Sequence, residues 1–248
     1  MELGSQLYTF RNKLKSKEYI PATFEKLKEY GCTCAQISAL CPIEPNELKK
    51  IADDNGLKLP ATHSPFSRIT NDIDALAEEH LTLGAELIGL GMMPLKYQNG
   101  GITAIKEFAD KMNKASDRLK EYNLKLAYHN HSLEFKKADK KIVFDYLLEL
   151  MPDVDIIFDV FWARFAGYDP VEFMSKLDGR ARLIHFKDYK KKFLIPRIVD
   201  VGDGELDFEK IIEKAQAIGT KYGVIEHDFT RDPFKTTERS MEHLKKFI

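Results

Sequence analysis

Four short apolar runs in this chain end on residues that can bind a metal or move a proton. They are Leu126-Ala127-Tyr128-His129, Ile156-Ile157-Phe158-Asp159, Arg182-Leu183-Ile184-His185 and Gly223-Val224-Ile225-Glu226. Two imidazoles and two carboxylates form a mixed nitrogen and oxygen donor set. Such a set suits one divalent ion of the Mn²⁺, Zn²⁺, Co²⁺ or Ni²⁺ type better than Mg²⁺ or Ca²⁺, which favour all-oxygen shells. An ion held there would grip a sugar carbonyl and its neighbouring hydroxyl. It would stabilise the enediolate formed when the intervening proton leaves. A nearby carboxylate or imidazole titrating near neutrality would take that proton. Glu226 could serve both as ligand and in proton transfer.

Further residues cluster around these four ends. His131 has the parity of His129 and reads as a second ligand, a proton shuttle or a group that orients the first ligand. Glu134, in the same loop, is the candidate base, against the plainer reading of a solvated glutamate. Lys187 has inward parity and could neutralise an oxyanion, or could pair with Asp159 or Asp188. Gln6 and Tyr8 alternate inward at the end of the first run, and Arg11 lies just beyond. His63 ends the third run, and Trp162, the only tryptophan, follows Asp159 closely. Aromatic rings mixed with polar groups suit sugars, which present apolar C–H faces and hydroxyl edges. Packing of a loop is the alternative for Trp162, and Met92 and Met93 are expected to pack the rim. The basic run Lys190, Lys191, Lys192 and Arg197 reads as a phosphate contact or as a solvated surface.

The elements needed to position these groups are legible. Strand-like runs fall near Glu2–Leu7, Thr33–Ser38, Lys58–Thr62, Leu87–Leu90, Lys125–His129, Asp155–Asp159, Arg182–Phe186 and Val224–Glu226. Helical patterns lie between them. Over Ile102–Tyr122 the apolar residues Ile105, Phe108, Met112, Ala115, Leu119 and Tyr122 step by three and four. The last helix repeats this with Phe234, Thr237, Met241, Leu244 and Ile248. Gly31, Gly56, Gly84 and Gly219 follow helical segments as left-handed caps, and Asn71 and Asp207 read as N-caps. Strands alternating with helices imply parallel pairing and right-handed crossovers. Eight such units in 248 residues predict an α/β fold, a single (β/α)8 TIM barrel over 1–248. An open doubly wound sheet is the runner-up, but no Gly-rich dinucleotide fingerprint follows the first strand.

Strand parity tests the barrel. If His129, Asp159, His185 and Glu226 point inward, then Leu126, Tyr128, Ile156, Phe158, Ile184, Phe186 and Ile225 point outward against the helices. All are apolar, as helix packing requires. Ala127, Ile157, Leu183 and Val224 then fill the interior beneath the four polar ends. Those ends project into the C-terminal mouth, where barrel active sites lie.

Bulk composition excludes several classes. The chain is 44% apolar and 31% charged, with Lys+Arg 38 against Asp+Glu 39 and a net charge of −1. No overall field selects a polyanion, which argues against nucleic acid. No apolar run spans a bilayer, and the start is strand-like rather than signal-like. A cytoplasmic protein is expected, with a clipped leader as the alternative. Cys32, Cys34 and Cys41 read as reduced thiols, with Cys32 and Cys34 on one side of a strand inside the barrel.

At these residues the chain resembles a known superfamily, the xylose-isomerase-like barrels. That group includes sugar phosphate isomerases, epimerases and the inosose dehydratases. The resemblance runs end to end. It rests on Gln6-Leu7-Tyr8-Thr9-Phe10-Arg11, Tyr128-His129-Asn130-His131 with Glu134-Phe135, Phe158-Asp159-Val160-Phe161-Trp162, His185-Phe186-Lys187-Asp188, Gly202-Asp203-Gly204-Glu205-Leu206-Asp207-Phe208, Ile225-Glu226-His227-Asp228 and Asp232-Pro233. It implies a metal held by His129, Asp159, His185 and Glu226. Related ketose epimerases carry a glutamate at the position of His129 and use a pair of glutamates for proton transfer. Only Glu226 of that pair remains here. The resemblance implies an isomerase or epimerase acting on a keto-sugar, with a dehydratase-like lyase or a non-catalytic sugar-binding barrel as alternatives. The endonuclease branch of the same barrel needs more ligands and a basic face. A small carbohydrate is the expected partner, and barrels of this kind often form homodimers.

Overall fold

The structure is a computed structural model that describes residues 1–192 and 195–248; the side chains of Lys192 and Ile195 also lie outside the description. Eight parallel strands form a nearly closed barrel. They are β1 (Glu2–Gln6), β2 (Cys34–Gln36), β3 (Ala61–His63), β4 (Leu87–Leu90), β5 (Lys125–His129), β6 (Asp155–Asp159), β7 (Leu183–Phe186) and β8 (Tyr222–Ile225). Neighbours in sequence are neighbours in the sheet, and β8 returns to pair with β1. Between β2 and β3 the contact thins to the bridges Cys34↔Lys58 and Ile37↔Thr62. Two antiparallel hairpins leave the barrel after strands: Lys137–Ala138 with Lys141–Ile142, and Asp188–Lys192 with Ile195–Val199.

The interior separates into two layers, as parity requires. Cys34, Ala61, Leu87, Ala127, Ile157, Leu183 and Val224 form a closed apolar plug inside the barrel. Leu126, Tyr128, Ile156, Phe158, Ile184, Phe186 and Ile225 belong to the larger core between strands and helices. The helix Gly101–Lys120 buries Ile105, Phe108, Met112, Ala115 and Leu119 against that layer, and Tyr122 lies just past its end. The period-3.6 stripe therefore has the face the sequence predicts. Gly31, Gly56, Gly84 and Gly219 all take positive φ, and Asp207 caps Phe208–Ala217 through Lys210 N–H at 3.2 Å.

Four local expectations change. Asn71 ends the short helix Phe66–Asn71 rather than capping the next. Asp72 holds the cap position of Ile73–Leu83, but its carboxylate is drawn away by Arg68 at 2.9 and 3.1 Å. Cys32 sits in the helix-side core, because β2 begins only at Cys34 and the residues before it turn. Burial pushes the Cys32 thiol up to about 12, as expected of an inert reduced cysteine. Met92 is exposed at the rim while Met93 is buried. Ile248 is exposed, since the last helix, Pro233–Leu244, gives way to a 3-10 turn before it.

Candidate metal centre

The ends of β5, β6, β7 and β8 bring His129, Asp159, His185 and Glu226 together. One donor atom from each lies within 4.8 Å of the others, and all four residues are buried. His185 Nδ1 is 2.7 Å from Glu226 Oε2. His129 Nε2 is 3.6 Å from Asp159 Oδ2, which lies 4.0 Å from His185 Nδ1.

The second atom of three of these groups is already engaged. His129 Nδ1 donates to the Gly91 carbonyl at 3.1 Å, and His185 Nε2 donates to Gln36 Oε1 at 2.6 Å. Asp159 Oδ1 accepts Trp162 N–H at 3.0 Å as the N-cap of Val160–Phe165. Fixing the proton on the outer nitrogen leaves the inner nitrogen with a lone pair. His129 Nε2, His185 Nδ1, Asp159 Oδ2 and Glu226 Oε2 turn toward one another, with the Lys187 ammonium in reach of the two carboxylate oxygens. Four acceptors therefore face one another at close range. A buried arrangement of that kind is unfavourable unless a proton or a cation enters it. Two imidazole nitrogens and two carboxylate oxygens fit a borderline divalent ion.

The charges follow from this crowding. Burial works against ionised Asp159 and Glu226, yet Lys187 and the histidines outweigh it and hold both pKa values below the usual range. Burial also opposes a charge on His129, but Asp159 and Glu226 raise its pKa. Burial and His129 together lower that of His185. The buried Lys187 ammonium lies 3.2 Å from Asp159 Oδ2, 3.3 Å from Glu226 Oε2 and 2.9 Å from Asp228 Oδ2. Burial disfavours its charge, but these three carboxylates more than compensate and raise its pKa.

Of the two pairings the sequence offers Lys187, that with Asp159 occurs and that with Asp188 does not. Asp188 turns away and accepts the N–H groups of Tyr189, Gly202, Gly204 and Leu206 at 2.8, 3.0, 3.0 and 3.2 Å. It pins the Gly202–Leu206 loop. A Cβ on Gly204 would come within 2.2 Å of its carboxylate, so only glycine fits there.

Above the four ends opens a cavity of about 720 Å³ whose walls include Tyr8, Arg11, His63, His131, Trp162, Lys187 and Asp228. Arg11 stacks on Tyr8 at 4.3 Å, donates to the Tyr8 carbonyl at 3.0 Å and also reaches the Asp228 carbonyl. His131 packs edge-on to His129 and 5.5 Å from Trp162. Lys187 Nζ stands 5.4 Å over Trp162. His63 packs tilted against both His129 and His185, at 5.2 and 5.6 Å. Burial, then His129, pushes the His131 pKa down to about 3 and holds that of His63 well below its ordinary value, so both rings are neutral.

Two expected residues lie off this cavity. Gln6 is buried below the mouth and accepts Tyr8 N–H at 3.3 Å. Glu134 is fully buried, with one oxygen on the Tyr128 hydroxyl and the other accepting His131 N–H at 2.7 Å. Tyr128 points outward, so Glu134 follows it behind the wall and braces the loop that carries His131. Burial pushes its pKa up to about 7 against those hydrogen bonds. Lys190, Lys191 and Arg197 are exposed on the hairpin after β7. Three contributors escaped sequence reasoning: Gln36, Asn130 and Asp228. Gln36 shares the inward parity of Cys34 two residues before it, a usable signal. Asn130 Oδ1 accepts Asp159 N–H at 2.9 Å, a cross-strand contact with no local signature.

A family model described as the xylose isomerase-like TIM barrel matches residues 24–247. The chain belongs to that family. An inosose dehydratase from Clostridium perfringens is 28% identical over 130 residues, 44% of this chain and 41% of that protein. The chain thus spans well under half the length of that relative. A sugar phosphate isomerase/epimerase from Parabacteroides distasonis superposes with a TM-score of 0.82 at 24% identity, covering 99% of this chain and 98% of its own. The probable 3-DHS dehydratase from Bacillus anthracis superposes at 0.77 with 13% identity, covering 99% of each chain. These two likenesses show the fold. Among the described residues no helix is long and apolar enough to cross a membrane.

Proposed function

We propose that this barrel removes a proton beside the carbonyl of a keto-sugar, as an isomerase or epimerase. One observation carries the reading: two buried imidazole nitrogens and two buried carboxylate oxygens converge at the mouth, and the Lys187 ammonium beside them is divided among three carboxylates. His129, Asp159, His185 and Glu226 would hold one divalent ion, of the Mn²⁺, Zn²⁺, Co²⁺ or Ni²⁺ kind. When bound, such an ion supplies Lewis-acid polarisation of the carbonyl.

The chain's own residues do the rest. Trp162 and Tyr8 offer ring faces to the sugar, while Arg11 and Asp228 offer hydrogen bonds to its hydroxyls. Lys187 keeps its proton and places a fixed positive charge where an oxyanion develops. His131 is neutral and lines the same cavity, so its imidazole can hydrogen-bond the substrate beside the reacting carbon, and it can act as the base only if substrate binding raises its pKa from about 3. Glu134, taken from sequence as the base, instead holds the His131 backbone and thereby sets where that imidazole sits.

The likeness to inosose dehydratase favours a second reading, in which proton loss is followed by expulsion of a β-hydroxyl. Incubation with keto-sugars and Mn²⁺ in D₂O separates the two. Deuterium gain without loss of water marks an isomerase or epimerase, and a conjugated carbonyl absorbing in the ultraviolet marks a dehydratase. No exchange with any keto-sugar would sink both.

A further inference from the structure

The loops after β6, β7 and β8 wall a second cavity, of about 340 Å³, beside the mouth. Its lining is almost wholly apolar. Phe161, Trp162 and Phe165 come from the helix that Asp159 caps. Pro196 and Ile198 come from the hairpin after β7, with Arg197 between them. The loop after β8 completes it by alternation: Glu226 and Asp228 line the mouth, His227 lines the annex, and Phe229 lines both. Trp162 also borders both cavities. Two aromatic side chains thus border both mouth and annex, one from the helix after Asp159 and one from the loop after Glu226.

We propose that this annex is a second subsite of the same substrate and takes a planar apolar group, such as an aryl ring, carried by the sugar in the mouth. The inference rests on the keto-sugar reading. A bare sugar has no use for the annex, because its hydroxyls would lose water there and meet few partners. A flat ring gains aromatic contact instead. Trp162 and Phe165 meet edge-to-face at 5.5 Å, and Phe161 lies 5.6 Å from Phe165, so the rings form a preset cluster. Phe165 and Phe229 are 47% and 79% exposed, an apolar surface next to a polar centre that the described residues leave uncovered. Trp162 Nε1 is buried without a partner among the described residues, a donor available to the oxygen linking the two halves of such a ligand. Arg197 and His227 allow polar substituents on the ring.

Trp162 is the only tryptophan, so its fluorescence reads both cavities. The full chain is titrated with 4-nitrophenol, 4-nitrophenyl β-D-glucopyranoside and methyl β-D-glucopyranoside, with calorimetry in parallel. Saturable binding of 4-nitrophenol is expected. So is at least about a tenfold preference for the nitrophenyl over the methyl glycoside. Phe165→Ala and Phe229→Ala, checked for an unchanged melting curve and metal content, should abolish 4-nitrophenol binding. Absence of that binding, an affinity left unchanged from the parent protein by both substitutions, or a methyl glycoside as tight as the nitrophenyl one overturns the subsite. Binding of 4-nitrophenol with no deuterium exchange on keto-sugars leaves the subsite standing and fails the keto-sugar reading alone.

Discussion

The two ends of the barrel handle charge in opposite ways, with partly exposed pairs at one end and buried groups at the other. At the N-terminal end, Arg182 meets Asp155 at 2.8 Å and Glu86 at 3.5 Å, Lys221 meets Glu86 at 3.1 Å, and Lys58 meets Glu2 at 2.7 Å. Opposite charges there pair off beneath the apolar plug. At the C-terminal end, two carboxylates and two imidazoles face one another, and one ammonium, Lys187, answers three carboxylates. At the first end each cation meets carboxylates of its own. At the other, donor atoms of a kind that could hold a metal ion gather around one ammonium.

The sharpest way to break this contrast is at the mouth. His185→Ala should lower Mn²⁺ affinity by more than about a hundredfold, beyond the loss of an outer partner, and abolish deuterium exchange. Calorimetric titration and metal analysis check it, and unchanged affinity would remove the centre from the argument. In the plug between the ends, Ile157→Ala should cost about 2–5 kcal/mol in urea unfolding while leaving Mn²⁺ affinity as it was. Gln36→Leu releases His185 Nε2 and should weaken Mn²⁺ binding by about ten- to a hundredfold, with little change in unfolding. At the N-terminal end, Arg182→Ala leaves the Asp155 carboxylate buried without its partner. It should cost about 1–3 kcal/mol with no effect on metal.

Proton linkage gives the smallest and most diagnostic effect. The His129 pKa is raised, so its contribution to the metal-free fold is present at low pH and lost as pH rises through the folded value. Those of Asp159 and Glu226 are lowered, so their contributions are present above the unfolded carboxylate values and lost as pH falls through the folded ones. The metal-free protein should be most stable between those windows. Metal must displace the His129 proton, so the rise in melting temperature on adding Mn²⁺ should grow from about pH 6 to pH 8. A rise that shrinks over that range would contradict the proton count.

Much of the barrel was legible because parity and helical period are local. Ala127, Ile157, Leu183 and Val224 alternate with Tyr128, Phe158, Ile184 and Ile225, and that pattern alone separates plug from outer core. The same parity put His129, Asp159 and His185 at one rim. What parity could not supply was the direction of loop side chains. Glu134 and His131 lie three residues apart in one loop, yet His131 faces the cavity and Glu134 hangs behind it on Tyr128. Lys187 and Asp188 are neighbours, yet one reaches the mouth and the other pins a distant glycine turn.

The sequence by itself therefore determined the eight alternating units, the layer each strand residue occupies and the four polar ends that meet. Backbone periodicity fixes those things within a few residues. Only the tertiary structure decided that Gln36 and Gly91 set the histidine tautomers, that Asp228 shares Lys187, and that Trp162 and Phe229 border two cavities. Each of those contacts joins residues far apart in the chain, and its existence depends on the closing of the barrel.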